Sequence, residues 1–149
     1  MGKEIIYTAD GRILSGTVVK YYEEGKVLSE TPYENGEING IEIEYYYNGV
    51  VSARNSYKNG LLEGISYVYY QSGILMEENP YKSGKLSGLR KRYYETGLIH
   101  EEAEYHNDVL HGKLCKYDLN GEITEVAYYR KGSMIEAPND DLEETENEK

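Results

Sequence analysis

Apolar and polar residues alternate along most of this chain. In residues 40–45 every second position is apolar, which is typical of a β-strand with one sheltered face. Residues 64–69 follow the same alternation, and residues 88–93 follow it except at Lys91. Residues 50–57 form a second stretch that predicts a returning strand. The residues expected on the sheltered face are Ile41, Ile43 and Tyr45, then Ile65, Tyr67 and Tyr69, then Leu89, Lys91 and Tyr93. The pattern therefore predicts β-hairpins.

The hairpin pattern recurs with a period of 24 residues. One glycine series is Gly16, Gly40, Gly64, Gly88 and Gly112, and a second is Gly25, Gly49, Gly73, Gly97 and Gly121. A third series begins at Gly36 and has Asp108 in place of its fourth glycine. Asp is one of the few other residues that tolerate positive φ. A fixed period of this length indicates units that bury their apolar surface against their neighbours.

Short turns are predicted to join the strands. Asn48-Gly49 provides two residues that accept positive φ, as a primed hairpin turn requires, and residues 58–63 form a longer connector to the next unit. An opening strand near 3–7 and five hairpins would give about eleven strands. We predict an all-β fold, an elongated antiparallel meander of tandem β-hairpin repeats. Periodicity leaves two forms open, a single twisted sheet and a coiled open sheet.

The chain is expected to contain one repeat domain, residues 1–136, and a tail. The repeat units are expected near 16–39, 40–63, 64–87, 88–111 and 112–135. Residues 137–149 contain six acidic residues and one Lys. Because this segment has almost nothing apolar to bury, we expect a disordered acidic tail.

The net charge limits the kinds of partner. With 16 Lys and Arg against 27 Asp and Glu, the chain carries a formal charge of −11, so we expect no nucleic-acid partner. The densest basic cluster, residues 90–92, is a weak anchor for an anionic membrane. The first residues lack the apolar core of a secretory signal. We therefore expect a cytoplasmic protein as the chain is written, or an exported one if a leader was removed.

The motifs Tyr-Tyr-x-x-Gly and Tyr-Lys-Asn-Gly-x-Leu-x-Gly resemble the bacterial variant of the MORN (membrane occupation and recognition nexus) repeat. The resemblance covers about residues 3–136, and the absence of Trp fits the variant class better than the ordinary repeat. It implies antiparallel hairpins, no catalytic residues and a binding module. Many bacterial members are catalogued as candidate antitoxins of toxin–antitoxin pairs. The wider repeat family is associated with membrane attachment and protein scaffolding.

Four residues with metal-binding chemistry, His100, His106, His111 and Cys115, lie within sixteen residues of one another. Imidazole and thiolate are good zinc ligands, but these residues occupy different positions of the repeat, in two strands and two connectors. Cys115 falls at an apolar position and is expected to be a packed residue. Neighbouring carboxylates at 77–78 and 101–102 should point to opposite faces. We predict no metal site, no cofactor and no enzyme.

Paired tyrosines are expected to turn one ring to each face of the sheet. The outward members are the candidate partner-binding surface, because Tyr offers rigid amphipathic area; they are Tyr22, Tyr46, Tyr70 and Tyr94. Aromatic contacts that only stabilise the sheet are the competing interpretation. We predict a non-catalytic repeat scaffold that binds another protein. Cell-wall or glycan binding is the alternative, and attachment to membrane lipid is a weaker one.

Overall fold

The structure is a computed structural model and describes residues 8–138. These residues form fourteen β-strands and no helix, so the predicted all-β fold is confirmed. The strands are β1 (Gly16–Tyr21), β2 (Val27–Glu34), β3 (Glu37–Ile38), β4 (Gly40–Tyr45), β5 (Val51–Lys58), β6 (Leu61–Leu62), β7 (Gly64–Tyr69), β8 (Leu75–Lys82), β9 (Lys85–Leu86), β10 (Gly88–Tyr93), β11 (Ile99–His106), β12 (Val109–Tyr117), β13 (Ile123–Arg130) and β14 (Ser133–Ile135). The predicted opening strand near 3–7 and most of the predicted tail, 137–149, lie outside the described residues.

All fourteen strands belong to one antiparallel sheet that follows the order of the chain. Its path is β1-β2-β4-β5-β7-β8-β10-β11-β12-β13-β14, and β3, β6 and β9 pair back on β2, β5 and β8. The two ends of the path, β1 and β14, do not pair with each other, so the described strands form an open sheet. The eleven strands of the path are five hairpins followed by β14.

The five hairpins share one register. A glycine that opens the first strand faces a tyrosine near the end of the second, in the pairs Gly16–Tyr33, Gly40–Tyr57, Gly64–Tyr81, Gly88–Tyr105 and Gly112–Tyr129. Each hairpin also has a register shift before the last residue of its first strand, such as that between Glu44 and Tyr45. A bulge of this kind increases the local twist. The sequence period therefore corresponds to a repeated structural unit that includes the fifth hairpin.

The hairpin turn differs from the one that the sequence predicted. The hairpin turn at residues 47–49 has positive φ at Gly49 alone, and the Gly49 N–H donates to the Tyr46 carbonyl at 2.8 Å. This is a type I turn followed by a glycine bulge, so the primed turn predicted for Asn48-Gly49 is wrong. In the connector, Asn59 has φ 50° and Gly60 has φ 76°. The connector is therefore the place where two consecutive residues have positive φ.

Several of the best covered positions are short side chains on one face. They are Ser29, Thr31, Ser66, Asn79, Ala103 and Ala127, each at most 8% exposed. By contrast Ile41, Ile65 and Leu89 are 59%, 43% and 44% exposed, so the prediction of a sheltered apolar face is wrong at these three residues. A single-layer sheet has no second layer to cover either face. Longer side chains on adjacent strands contact some of these short residues, as Glu42 contacts Thr31 and Arg90 contacts Asn79.

Candidate functional site

The predicted partner-binding tyrosines lie just after the first strand of four successive hairpins. Each is half-buried, and its hydroxyl donates a hydrogen bond to a backbone carbonyl in the next hairpin. The bonds run from Tyr22 to Tyr45, Tyr46 to Tyr69, Tyr70 to Tyr93 and Tyr94 to Tyr117, at 2.7, 2.6, 2.7 and 2.7 Å. These hydroxyls therefore join neighbouring repeats, a role that the sequence did not reveal. Their assignment as a partner-binding surface stays a prediction.

Asp118 occupies the equivalent position in the fifth hairpin. Its Oδ1 atom accepts backbone N–H bonds from Asn120 and Glu122, at 2.8 and 3.0 Å. The N–H groups of Glu122 and Asn120 hold the pKa of the Asp118 carboxyl below its ordinary value, because they stabilise the ionised form. This residue closes its own turn, whereas the four tyrosines reach forward.

A second tyrosine series reaches backward to carboxylates of the preceding hairpin. The hydroxyl-to-carboxylate pairs are Tyr45–Glu30, Tyr93–Glu78 and Tyr117–Glu102, at 3.2, 2.8 and 2.8 Å. Burial and the bond to Glu78 raise the pKa of Tyr93 to about 12. The bond to Glu102, together with burial, raises the pKa of Tyr117 to about 12. A carboxylate beside each hydroxyl disfavours the tyrosinate, so these pairs act as fixed donor–acceptor links.

Between the second and third hairpins this tyrosine–carboxylate link is missing. Arg54 stands at the position of the three glutamates, and Tyr69 stands at the position of the three tyrosines. Within residues 8–138 the Tyr69 hydroxyl makes no hydrogen bond, and no carboxylate forms an ion pair with Arg54. Arg54 is exposed. The two side chains line a groove of about 320 Å³ with Ile41, Ser56, Ile65 and Tyr67.

Two walls of this groove belong to an exposed apolar series. Ile41, Ile65 and Leu89, here called the aliphatic row, occupy the same position in three successive hairpins, and all three are exposed. Equivalent positions lie two strands apart, about 10 Å. The row ends at polar residues, Thr17 in the first hairpin and Lys113 in the fifth. It therefore forms a bounded apolar surface on one face of the sheet.

The opposite face carries a polar network. Thr31 Oγ1 donates to Glu42 at 2.8 Å, and Asn55 Nδ2 donates to Glu44 at 3.1 Å. Burial and the nearby Glu42 raise the pKa of Glu44, although the bond from Asn55 acts against this. Burial together with Glu42 and Glu44 raises the pKa of Tyr57 to about 12. Hydrogen bonds from Thr31 and Asn55 hold the carboxylates of Glu42 and Glu44 within the sheet.

The basic cluster at residues 90–92 is paired with carboxylates of the same sheet. Arg90 Nη2 and Arg92 Nε lie 3.0 and 3.4 Å from Glu77 Oε1, and Lys91 Nζ lies 3.7 Å from Glu102. Burial acts to lower the pKa of Arg90, but the charge of Glu77 and its hydrogen bond outweigh burial and raise it. The positive charges of the cluster are therefore largely neutralised by these carboxylates.

A membrane-spanning helix is absent from residues 8–138, the part of the chain that the structure describes.

The histidines and the cysteine make separate contacts. The His100 ring lies 4.5 Å from the Tyr94 ring, and the rings of His106 and His111 are 6.2 Å apart. His111 Nδ1 accepts a backbone N–H from the next connector at 3.3 Å, and Cys115 is buried. In the part of the chain that the structure describes, no three His, Cys, Asp or Glu side chains are grouped as metal ligands.

Comparison with known proteins agrees with the repeated geometry. Four segments match the MORN repeat variant, residues 14–35, 38–59, 62–83 and 86–107, and together they cover more than half of the chain. No curated protein matches the chain. The MORN repeat is a non-catalytic scaffold that often mediates protein or membrane-lipid interactions. The fifth hairpin lies outside the matched segments but has the register of the other four. On the matched segments and the tandem hairpins, the chain belongs to the MORN repeat variant family.

Proposed function

We propose that this protein is a repeat scaffold that binds a partner protein through the face bearing the aliphatic row. The observation that carries the proposal is the exposure of Ile41, Ile65 and Leu89, at 59%, 43% and 44%, in phase on one sheet. An exposed apolar series with polar ends is typical of an interaction surface. Removing this apolar surface from water would stabilise a contact by about 25 cal/mol per Å².

The sheet is suited to present this row in a fixed arrangement. Hydroxyl-to-carbonyl bonds such as that from Tyr46 to Tyr69 tie each hairpin to the next on one edge. On the other edge, backbone bonds link successive connectors, as from the Gly60 N–H to the Ile38 carbonyl at 2.8 Å. A surface that is ordered before binding loses less conformational entropy when a partner arrives.

The tyrosines Tyr22, Tyr46, Tyr70 and Tyr94 are a second proposed contact surface. Their hydroxyls are engaged within the sheet, so a partner would contact the half-exposed ring surfaces. Replacement by Phe keeps the ring and removes the hydroxyl, and replacement by Ala removes both. Comparing the two replacements separates recognition by the ring from stabilisation by the hydroxyl.

The experiment begins with capture of a partner from cells of the source organism and its identification by mass spectrometry. The purified partner is then titrated against the wild type and the triple variant Ile41→Ser, Ile65→Ser, Leu89→Ser. We expect the variant to bind at least about tenfold more weakly, equivalent to about 1.4 kcal/mol, with its melting temperature little changed because the residues are exposed.

The matched control changes three other exposed leucines, Leu61, Leu98 and Leu119, to Ser. These residues lie outside the aliphatic row, so we expect the control to keep wild-type affinity. Full affinity in the aliphatic-row variant would contradict the proposed surface. Micromolar binding to a glycan array, with no protein captured, would favour the alternative of cell-wall or glycan recognition.

A finer proposal is that the partner is a toxin and that this protein is its antitoxin. It is supported by the family resemblance alone. Co-expression with a toxin encoded beside this chain should restore growth, and the aliphatic-row variant should fail to do so. Growth arrest that the wild-type protein does not relieve would contradict the antitoxin proposal and leave the general scaffold function intact.

A further inference from the structure

We propose that the groove formed by Ile41, Arg54, Ser56, Ile65, Tyr67 and Tyr69, here called the Arg54 groove, binds one carboxylate of a partner protein, an Asp or Glu side chain flanked by aliphatic residues. The inference rests on the proposed function, because Ile41 and Ile65 also belong to the aliphatic row. It adds a chemically defined contact within that surface.

The first step is a difference in sequence between the repeats. Arg54, a hydrogen-bond donor, stands where three other hairpins have a glutamate, which is an acceptor. Glu30, Glu78 and Glu102 accept hydrogen bonds from tyrosine hydroxyls of the next hairpin. At Arg54 the corresponding side chain has only donors. The Tyr69 hydroxyl is therefore left without the carboxylate that its three counterparts have. An external carboxylate in the groove would restore the missing acceptor.

The second step is the polar inventory of the groove. Arg54 supplies guanidinium N–H groups. Ser56, Tyr67 and Tyr69 supply hydroxyls that can donate. None of the six lining residues is acidic. An ionised carboxylate accepts only and pairs with a guanidinium through two parallel hydrogen bonds. The groove volume of about 320 Å³ lies at the lower end of ligand sites, which suits one side chain better than a cofactor.

The third step is the surroundings of the cation. Ile43 and Tyr67 flank Arg54 on the neighbouring strands, and the next positions outward are Glu30 and Glu78. Arg54 is a single cation between carboxylates, and the chain around it has a formal charge of −11. The protein as a whole therefore repels an extended anionic surface. Arg54 accommodates one carboxylate whose neighbours are apolar. This favours a protein segment over an anionic membrane.

The test uses a blocked synthetic peptide with one glutamate between pairs of valines, and the same peptide with glutamine instead. Binding to the full-length protein is followed by NMR through the Arg54 side-chain N–H and the Tyr69 ring signals. We expect the glutamate peptide to bind and the glutamine peptide to bind at least about tenfold more weakly, the usual scale for loss of a charged hydrogen-bonding partner.

Two variants separate recognition from folding. Arg54→Gln removes the charge, and Arg54→Glu restores the tyrosine–carboxylate pair of the other repeats. We expect Arg54→Glu to melt at or above the wild-type temperature, and both variants to bind the glutamate peptide at least about tenfold more weakly. Because Arg54→Glu should fold well, its loss of binding cannot be ascribed to misfolding.

Several results would overturn the inference. They are equal binding of the two peptides, unchanged binding by Arg54→Glu, no binding of the glutamate peptide at millimolar concentration, and Arg54-dependent binding of phosphatidylserine vesicles without peptide binding. The proposed function is judged separately with the purified partner. If Arg54→Glu keeps full partner affinity while the aliphatic-row variant loses it, the inference fails and the scaffold function stands.

Discussion

The Tyr70 hydroxyl donates a hydrogen bond to the backbone carbonyl of Tyr93 over 2.7 Å. The two residues belong to consecutive hairpins, and the same bond recurs from Tyr22, Tyr46 and Tyr94. The stability of a repeat array is approximately a sum of terms within units and between neighbouring units. These bonds contribute to the second kind of term, and their loss should weaken cooperation between hairpins.

Replacement of Tyr70 by Phe should lower the free energy of unfolding by about 1 kcal/mol. The ring stays in place, but the carbonyl of Tyr93 loses its partner. Tyr47→Phe is the matched control, because the Tyr47 hydroxyl bonds to Glu24 at an exposed turn, where the cost should be under about 0.5 kcal/mol. Urea denaturation measures both. Equal losses would contradict a special role for the half-buried bond to the backbone carbonyl.

Two covered hydroxyls in the same row of the sheet should respond differently to removal. Thr31 and Ser66 are each 3% exposed, and Thr31 donates to Glu42, whereas Ser66 Oγ has no hydrogen-bond partner among the described residues. Thr31→Val should cost about 1–3 kcal/mol, and Ser66→Ala should be neutral or stabilising. Denaturant titration measures the free energy of unfolding of both variants. A larger loss for Ser66→Ala would show that its hydroxyl is satisfied, for example by water.

Tyrosine ionisation should make the protein less stable at high pH. The pKa of Tyr117 is raised from 10.0 to about 12, so the folded state favours the neutral phenol. This contribution is complete below pH 10 and is lost as the pH rises to about 12. In Glu102→Gln the pKa of Tyr117 should fall, because its hydrogen-bonded carboxylate is gone.

Tyrosinate absorbance measured against pH checks this expectation. The wild type should contain tyrosines that ionise well above pH 10, and in Glu102→Gln one of them should ionise at a lower pH. Glu136→Gln, at an exposed site after the last strand, is the control and should leave the curve unchanged. Identical curves for the wild type and Glu102→Gln would contradict the assigned pair.

The connector turn at Lys131 offers a stabilising change. Lys131 has φ 51°, and the equivalent residues Asn35, Asn59 and Asn107 have φ 52°, 50° and 49°. Asn tolerates this left-handed conformation better than Lys, so Lys131→Asn should raise stability by about 0.5–1 kcal/mol. The reverse change, Asn59→Lys, should lower it by a similar amount. Thermal unfolding measures both variants, and a loss in Lys131→Asn would contradict the conformational argument.

The hairpins could be predicted from the sequence because glycine phase and alternation report on local geometry. The turn types could not be assigned correctly, since Asn-Gly occurs both at Asn48 and at Asn59, and only the surrounding register decides which site takes the primed turn. Coverage of Ile41 depends on neighbours across the sheet and has no local signal. The exception at Arg54 could have been found by aligning the repeats, because the equivalent positions Glu30 and Glu78 are acidic.

Asp118 gives the array a direction and an end. Every earlier hairpin extends a phenol toward its successor, whereas the fifth turns its carboxylate back upon its own loop. A further hairpin added after the fifth would lack the tyrosine-to-carbonyl hydrogen bond that joins the earlier hairpins. Lengthening of the protein by gene duplication would therefore succeed most readily at an interior unit, with the terminal one carried along unchanged.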